Sequence, residues 1–238
     1  MEIERLDIDG FEIDLADFDL DLSPERFTTR HVKPPITKAI PDSKVLYRNA
    51  WKLADEMPAK PAMWHIVLVD GSFIAGDFIE AFIKKNNLHA KRVSISTLSL
   101  NQENVDSLGN LLFDGWADEL DLIVSDGFWS NYRRDIIPYI YAELDKDSRF
   151  QLAVARVHTK VTLIETHCGL KITMRGSANL RSSQSIEHLE IQEGEAVFDF
   201  FANFHDQIIE TYKTINKDVP QFQHQKSLKR SETWQAVT

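Results

Sequence analysis

Between Met63 and Ile215 the chain alternates short apolar runs with longer amphipathic runs, and no other feature restricts the possible folds as strongly. The short runs are rich in β-branched residues and predict strands. They are MWHIVLV, KRVSISTLSL, LDLIVSDGFW, FQLAVARVHTKVTLIET, LKITMRG and SIEHLEIQ. The first run is apolar throughout, so we expect a buried strand there. The fourth is long enough for one strand or for a bent pair.

The longer runs repeat apolar residues at helical spacing. We predict helices from about Asp77, behind Asn101 as an N-cap, over residues 133–147 and over residues 195–215. The last of these carries a stripe that we expect to pack in the core: Phe198, Phe201, Phe204, Ile208 and Tyr212. Strands that alternate with helices in this way pack as an α/β domain with a mixed central sheet.

The net charge of −10 is concentrated in residues 1–25, which hold ten acids and one base. The other residues hold 26 bases and 27 acids, so the body of the chain is nearly neutral. An acidic leader of this kind repels a polyanion or mimics one. The Asp9-Gly10 pair favours a short hairpin within it, and an acidic disordered segment is the alternative.

Proline positions and composition predict four regions. Residues 1–25 are the acidic leader, and residues 26–60 are a linker and helical arm that contains three prolines before a helical run ending at Pro58. Residues 61–217 form the main domain. Residues 218–238 are a polar tail that we expect to be frayed.

Composition also bears on the surroundings in which the chain works. The chain has no run of about 18 apolar residues, so no membrane helix is predicted. The first ten residues lack the pattern of a secretory signal. A single cysteine, Cys168, suits the reducing cytoplasm. No cysteine and histidine spacing matches a zinc site. We therefore expect a cytoplasmic protein with no membrane contact, no metal and no cofactor.

Residues 158–191 contain a cluster of polar groups that is either the ordinary polar surface of two strands and a turn or a reactive site. On a strand, His158 and Lys160 point to the same side because side chains alternate faces. Gly169 permits a turn, so LKITMRG can return beside that strand and bring Ser177 and Asn179 to the same end. Glu190 follows on a third strand. One pocket can then receive an imidazole, an ammonium, a hydroxyl, an amide and a carboxylate.

These groups suit phosphodiester chemistry. An imidazole can attack phosphorus and form a covalent phospho-histidine. An ammonium and an amide can hold the phosphoryl oxygens as charge moves in the transition state. A carboxylate bonded to the far nitrogen of the imidazole sets its tautomer. This chemistry requires no metal ion.

The residues resemble the signature of the phospholipase D superfamily, which is H-x-K, four residues, Asp, and then G-S-x-N. His158-Thr159-Lys160 is followed by four residues and Glu165, where the family has Asp, and Gly176-Ser177-Ala178-Asn179 matches the second half. Glu190 matches the acid that orients the histidine in the single-motif nucleases of the family. Glu187 is the rival, on the opposite strand face. The ten residues between Glu165 and Gly176 are more than the usual spacing.

The resemblance implies an α/β/α sandwich with a mixed sheet and one motif per chain. It implies a metal-independent phosphodiesterase, a nuclease rather than a lipase, that acts through a phospho-histidine. The implied site residues are His158, Lys160, Asn179 and Glu190 for catalysis, Gly176 and Ser177 for substrate binding, and Glu165 as a structural acid. A single motif also implies a homodimer, in which a partner's histidine protonates the leaving group. The alternative is a catalytically inactive module that binds nucleic acid or a protein partner.

Two further segments invite a functional interpretation. In FWSNYRR, Arg133 and Arg134 beside aromatic residues favour nucleic-acid binding, and the alternative is a helix start with partly buried aromatics. GSFIAGDF (71–78) could cradle a phosphate or form a simple turn. His65, His89, His188 and His205 lack partners at ligand spacing, so we expect structural roles for them. His167-Cys168 is expected to be a strand-turn pair, and a redox or metal role is the alternative.

Overall fold

The computed structural model describes residues 6–8, 11–13, 50–69, 74–181 and 185–217. The chain forms two compact units, Met1–Pro41 and Asp42–Thr238. In the first unit, β1 (Leu6–Ile8) pairs antiparallel with β2 (Phe11–Ile13). This pairing confirms the hairpin predicted at Asp9-Gly10. The polar tail and most of the 26–60 region lie outside the described residues.

The second unit contains six helices and seven strands within its described residues. The helices are α1 (Ala50–Glu56), α2 (Ala75–Lys85), α3 (Gln102–Phe113), α4 (Asp126–Asn131), α5 (Ile136–Leu144) and α6 (Glu195–Tyr212). The strands are β3 (Trp64–Val69), β4 (Ala90–Thr97), β5 (Ala117–Ser125), β6 (Phe150–Ala155), β7 (Val161–Thr166), β8 (Lys171–Gly176) and β9 (Glu187–Glu193).

The seven strands form one mixed sheet in the order β3-β9-β8-β7-β4-β5-β6. Strands β4, β5 and β6 are parallel, and β7, β8, β9 and β3 each pair antiparallel with the preceding strand in space. Strands β3, β4, β5, β6 and β8 therefore finish at the same end of the sheet. We call this end the carboxyl edge. The predicted mixed α/β fold is confirmed.

Helices cover both faces of this sheet, as an α/β/α sandwich requires. On one face, α1, α2, α3 and α5 close the main core around residues such as Phe82 and Leu108, which are fully buried. On the other face, α6 packs Phe198 on Val161 and Leu163. The sheet therefore lies between two hydrophobic layers, and this packing on both faces holds the strands, and with them the loops at the sheet edges, in place.

Local signals explain where several helices begin. Asn101 caps α3 as predicted, and its side chain and that of Asn104 exchange bonds with each other's backbone N–H at 3.1 Å. Helix α2 begins at Ala75, two residues before the predicted start. Strand β5 ends at Ser125 because the Ser125 hydroxyl accepts a bond from Phe128 N at 3.0 Å and starts α4.

The structure corrects one strand prediction and decides between the two alternatives of another. MWHIVLV is not a buried strand, because β3 lies at the sheet edge and exposes Trp64, Ile66 and Leu68 while Val67 and Val69 are buried. FQLAVARVHTKVTLIET is not one long strand but a pair of strands, which was the second of the two expectations. It forms β6 and β7, which are separated in the sheet by β5 and β4. His158 and Lys160 consequently lie in the connection and not on a strand.

The apolar stripe of α6 is only partly core. Phe198 and Ile208 are buried, whereas Phe204 and Tyr212 are exposed. His205 on the same helix is fully buried, and its Nδ1 lies 2.9 Å from Ser94 Oγ. Burial lowers the pKa of His205 to about 4, and the nearby Arg92 guanidinium adds to this effect. The expected structural role of this histidine is consistent with its position.

We predict that His205 makes the fold sensitive to acid. Because its folded pKa lies below the ordinary value of 6.5, the unfolded chain binds a proton that the folded chain refuses as pH falls from 6.5 towards 4. This difference should cost roughly 2 to 3 kcal/mol of unfolding free energy between pH 7 and pH 4.5. Urea unfolding of wild type and His205→Gln at both pH values measures it.

The His205→Gln variant should be less stable than wild type at pH 7 and should lose less stability on acidification. His158→Ala, which removes an exposed histidine, is the control and should follow the wild-type pH dependence. Equal acid sensitivity in wild type and His205→Gln would contradict the prediction.

Candidate active site

The connection from β6 to β7 carries the H-x-K residues across the carboxyl edge. It must pass over β5 and β4, a distance of three strand spacings or roughly 14 Å. Six residue steps separate Ala155 from Val161, and they span about 20 Å at most. The connection is therefore short for the distance that it crosses. Thr159 fixes its middle, because the Thr159 hydroxyl bonds to Ser96 Oγ of β4 at 3.0 Å.

His158 and Lys160 meet at this edge although they are not on a strand. The Lys160 ammonium lies 3.3 Å from His158 Nδ1 and donates to the His158 carbonyl oxygen at 3.1 Å. His158 is exposed, and Lys160 is half-buried. An ammonium has only donors, so Nδ1 is the acceptor in this contact and the proton of a neutral ring is on Nε2.

Gly176 joins the two halves of the motif. It is the last residue of β8, and its N–H donates to the Lys160 carbonyl oxygen at 3.4 Å. A Cβ at this position would overlap the backbone carbonyl of His188 on β9. Only glycine lets β9 approach so closely without a shift of the backbone.

The Ser177 side chain is engaged with β9. Its hydroxyl accepts a bond from His188 N at 3.0 Å and donates to the Glu187 carboxylate. Its own N–H donates to His188 O at 3.1 Å. The structure therefore brings Glu187, the rival acid, to the G-S-x-N segment. Ser177 positions this loop at least as much as it offers a group to a substrate.

The rest of the motif loop turns over β4 towards α2. Leu180 N donates to Thr97 Oγ1 at 3.3 Å, and Leu180 O accepts from Gly76 N at 3.0 Å. Asn179 is half-buried, and its side-chain oxygen has no hydrogen-bond partner in the described part of the chain. Buried amide oxygens normally have a partner. The Asn179 amide is thus the motif group whose bonding is incomplete.

Glu190 lies elsewhere. The register of β8 and β9 places it directly opposite Arg175, three residues inside the sheet from Glu187. Arg175 Nε and Nη2 each donate to its carboxylate at 2.8 Å, and Trp64 Nε1 donates at 2.6 Å. The Arg175 bond lowers the pKa of Glu190. The structure does not bring Glu190 to His158, because this ion pair and the indole bond both its carboxylate oxygens.

Glu165 is also remote from the edge. It is the fifth residue of β7 and lies 3.3 Å from the Lys91 ammonium, beside the amino ends of the parallel strands. Lys91 is exposed and Glu165 is half-buried. This position agrees with a structural acid that does not touch the substrate.

Arg133 and Arg134 are exposed in the turn between α4 and α5. The aromatic residues of the same segment face the other way and pack on the main core. Trp129 meets Tyr141 edge-on at a centroid distance of 6.3 Å, and Phe128 lies 4.9 Å from Tyr132. The aromatic residues of FWSNYRR are thus partly buried, as the second interpretation of this segment expected. The two arginines remain available for binding.

Two other candidates have structural explanations. Residues 70–73 of the GSFIAGDF segment lie outside the described residues, but Gly76 is needed because a Cβ there would meet the Asn104 side chain. His167 Nε2 lies 2.7 Å from Asp118 at the opposite end of the sheet. Neither feature belongs to the motif.

Sequence reasoning missed the residues that anchor the site from below. Ser96 and Thr97 end β4 and hold the two motif loops through their hydroxyls. A signal existed, since four of the seven residues of VSISTLS (93–99), around the end of the strand, carry hydroxyl groups. What the sequence could not indicate is that β4 lies beneath both loops.

In the ranges that the structure describes, no group of three or more histidine, cysteine or acidic side chains is arranged to hold a metal ion. No described helix is both long and apolar enough to cross a membrane.

Comparison with known proteins finds likeness in three dimensions only. No protein-family model matches the chain, and no curated protein matches its sequence. NucT from Helicobacter pylori matches with 15% identity and a TM-score of 0.46, over 63% of this chain and 98% of that one. Nuc from Salmonella typhimurium, a phospholipase D family member, matches with 14% identity and a TM-score of 0.45, over 62% and 95%. The phosphatidylserine synthase of Haemophilus influenzae matches with 14% identity and a TM-score of 0.45, over 73% and 46%.

We predict that Gly176→Ala destabilises the fold. The new methyl group must push the His188 carbonyl away, and such overpacking costs roughly 1 to 3 kcal/mol. The melting temperature should fall by about 3 to 10 °C. Gly127→Ala is the matched control, because a Cβ at Gly127 in α4 meets no atom within 4 Å. If both variants have the wild-type melting temperature, the packing of β9 does not require glycine at position 176.

Proposed function

We propose that the chain is a phosphodiesterase of phospholipase D-like type, a nuclease that acts through a phospho-histidine at His158. One observation carries the proposal: the Gly176–Lys160 backbone bond brings H-x-K and G-S-x-N to one edge of the sheet. The two segments are separated by a complete β-hairpin, so their meeting depends on the fold. An exposed imidazole, an ammonium and a side-chain amide then lie on neighbouring loops.

The proposed reaction has two steps. His158 attacks the phosphorus atom, a nitrogen–phosphorus bond forms, and the bond to the leaving oxygen breaks as that oxygen receives a proton. Water then attacks the phosphorus and breaks the nitrogen–phosphorus bond, which returns a free imidazole. Lys160 and Asn179 donate to the phosphoryl oxygens as charge moves onto them.

The contact between Lys160 and His158 gives Lys160 a second task. While the ammonium faces Nδ1, the proton of the neutral ring is on Nε2, which then has no lone pair for attack. A bound phosphate attracts the ammonium away from the ring. Nδ1 can then hold the proton, and Nε2 becomes the nucleophile. Substrate binding and activation of His158 are thereby linked through one side chain.

A second candidate is a non-catalytic module that binds nucleic acid or a protein partner. The placement of Glu190 favours it, because the acid expected to orient His158 is held by Arg175 and Trp64. Without an orienting acceptor, the imidazole has only Lys160 as a side-chain neighbour within hydrogen-bond distance among the described residues. Activity on a generic phosphodiester separates the two candidates.

We predict that His158→Ala abolishes cleavage of DNA, RNA or a chromogenic phosphodiester in excess EDTA. The melting temperature should hardly change, since His158 is exposed. Lys160→Ala and Asn179→Ala should each lose on the order of a hundredfold in kcat, as for removal of one preorganised donor. His167→Ala, an exposed histidine at the other end of the sheet, is the control and should keep full activity. Full activity in His158→Ala, or loss of all wild-type activity in EDTA with rescue by magnesium, rejects the mechanism.

The proposed reaction also needs an acid for the leaving oxygen. The chain has one G-S-x-N, and of its H-x-K tripeptides only His158-Thr159-Lys160 is paired with it, so we propose that His158 of a second copy supplies the proton. The exposure of His158 at the carboxyl edge leaves it accessible to such a copy. A two-fold axis near His158 would create one composite site from two chains.

We predict a homodimer of roughly twice the 27.4 kDa chain mass by light scattering. In mixed dimers of wild type and His158→Ala, the single composite site lacks one histidine, so the mixed species should be nearly inactive. Activity should then fall faster than the wild-type fraction as the variant is added before assembly. A monomer at micromolar concentration that cleaves substrate excludes the composite site.

A further inference from the structure

We infer that four arginines around the motif form a binding surface for the phosphate backbone of a polynucleotide, with Arg156 and Arg181 as contacts that the motif does not include. The four are Arg133, Arg134, Arg156 and Arg181, and we call them the arginine surface. The inference rests on the proposed function, because it names the substrate class of the same site. It is nevertheless tested by binding and not by cleavage.

Three separate loops bring these residues to the carboxyl edge. Arg156 is the first residue after β6 and lies two residues before His158. Arg181 follows Leu180, whose backbone is bonded to Thr97 of β4 and to Gly76 of α2. Arg133 and Arg134 follow α4, which begins where β5 ends. The arginine surface therefore borders the loops that carry His158 and Asn179.

The charge environment of these arginines differs from that of the others. The structure describes seven arginines, and three of them pair with acids: Arg92 with Asp121 and Asp206, Arg149 with Asp147, and Arg175 with Glu190. The four of the arginine surface are all exposed, and none has an ion pair or hydrogen bond with a described residue. Every described arginine without a partner thus lies at the edge that holds the motif.

A guanidinium fork matches the oxygens of a phosphate, so free guanidinium groups beside a phosphoryl site favour phosphate-rich partners. Residues 1–25 hold −9 of the net charge and the other residues are nearly neutral, so the −10 of the whole chain does not describe the charge of the carboxyl edge. The carboxyl edge can therefore attract a polyanion although the whole chain carries −10.

The spacing favours a polymer over a single phosphodiester. Arg156 leaves the end of β6 and Arg181 lies by the end of β4, so two strand spacings, roughly 10 Å, separate their supports. A phospholipid headgroup offers one phosphate. A nucleic acid offers one per nucleotide, so neighbouring phosphates can meet the outer arginines while one lies at His158.

The test is binding of a labelled single-stranded oligonucleotide, followed by fluorescence anisotropy in full-length His158→Ala so that the probe is not cleaved. Arg156→Gln and Arg181→Gln should each weaken binding on the order of tenfold at about 50 mM salt. Between about 50 and 200 mM salt, each should lower the slope of log affinity against log salt by about 0.7. Arg156→Lys and Arg181→Lys should keep most of that slope, since the charge remains.

Lys60→Gln with Lys217→Gln is the matched control for the Arg156→Gln, Arg181→Gln double variant. It removes two exposed positive charges near the other end of the sheet and should leave affinity and slope unchanged. Equal weakening in the control, or no weakening in the arginine variants, overturns the inference. The inference is also overturned if the oligonucleotide does not bind but anionic phospholipid vesicles bind through these arginines.

The same data separate this inference from the proposed function. If the oligonucleotide binds through the arginine surface but wild type cleaves no phosphodiester, the enzyme proposal fails and the binding surface stands. If a chromogenic phosphodiester is cleaved but the oligonucleotide does not bind, the reverse holds.

Discussion

The backbone bond between Gly176 and Lys160 joins the two halves of the proposed active site. It closes the start of β7 against the end of β8, and the missing side chain of Gly176 lets β9 close on the other side. Ser177 then bonds to His188 through both its N–H and its hydroxyl. The loops with His158 and Asn179 are fixed to one edge as a result, although neither residue is on a strand.

This arrangement separates stability from chemistry. Further along the same two strands, Ile164 and Ile172 are fully buried in the main core, whereas His158 is exposed. Reactive groups on short loops above a rigid sheet can be placed accurately without entering the core. The short connection from β6 to β7 contributes to that accuracy, because the Thr159 hydroxyl in its middle is bonded to Ser96 of β4.

The register of β8 and β9 decides how complete the site is. It sets Glu190 opposite Arg175, where a two-point ion pair and the Trp64 indole hold the carboxylate. Glu190, the acid that the motif spacing assigns to His158, is thus bonded to residues of neighbouring strands. Glu187, nearer the edge, is committed to Ser177. His158 therefore has Lys160 as its side-chain neighbour, and in the proposed reaction its activation depends on how a bound phosphate moves that lysine.

The sequence by itself determined the mixed α/β class, the cap at Asn101, the turn at Gly169 and the residues of the motif, because hydrophobic period, capping chemistry and fixed spacing are local properties. Glu190 shows the limit: spacing gave its strand face correctly but not its partner, since Arg175 faces it only through the pairing of two strands. The break between β6 and β7, the exposure of β3 and the gathering of four free arginines were likewise decided by tertiary structure. Each depends on which strands are neighbours, and strand order is set by packing over the whole sheet and not by any local run of residues.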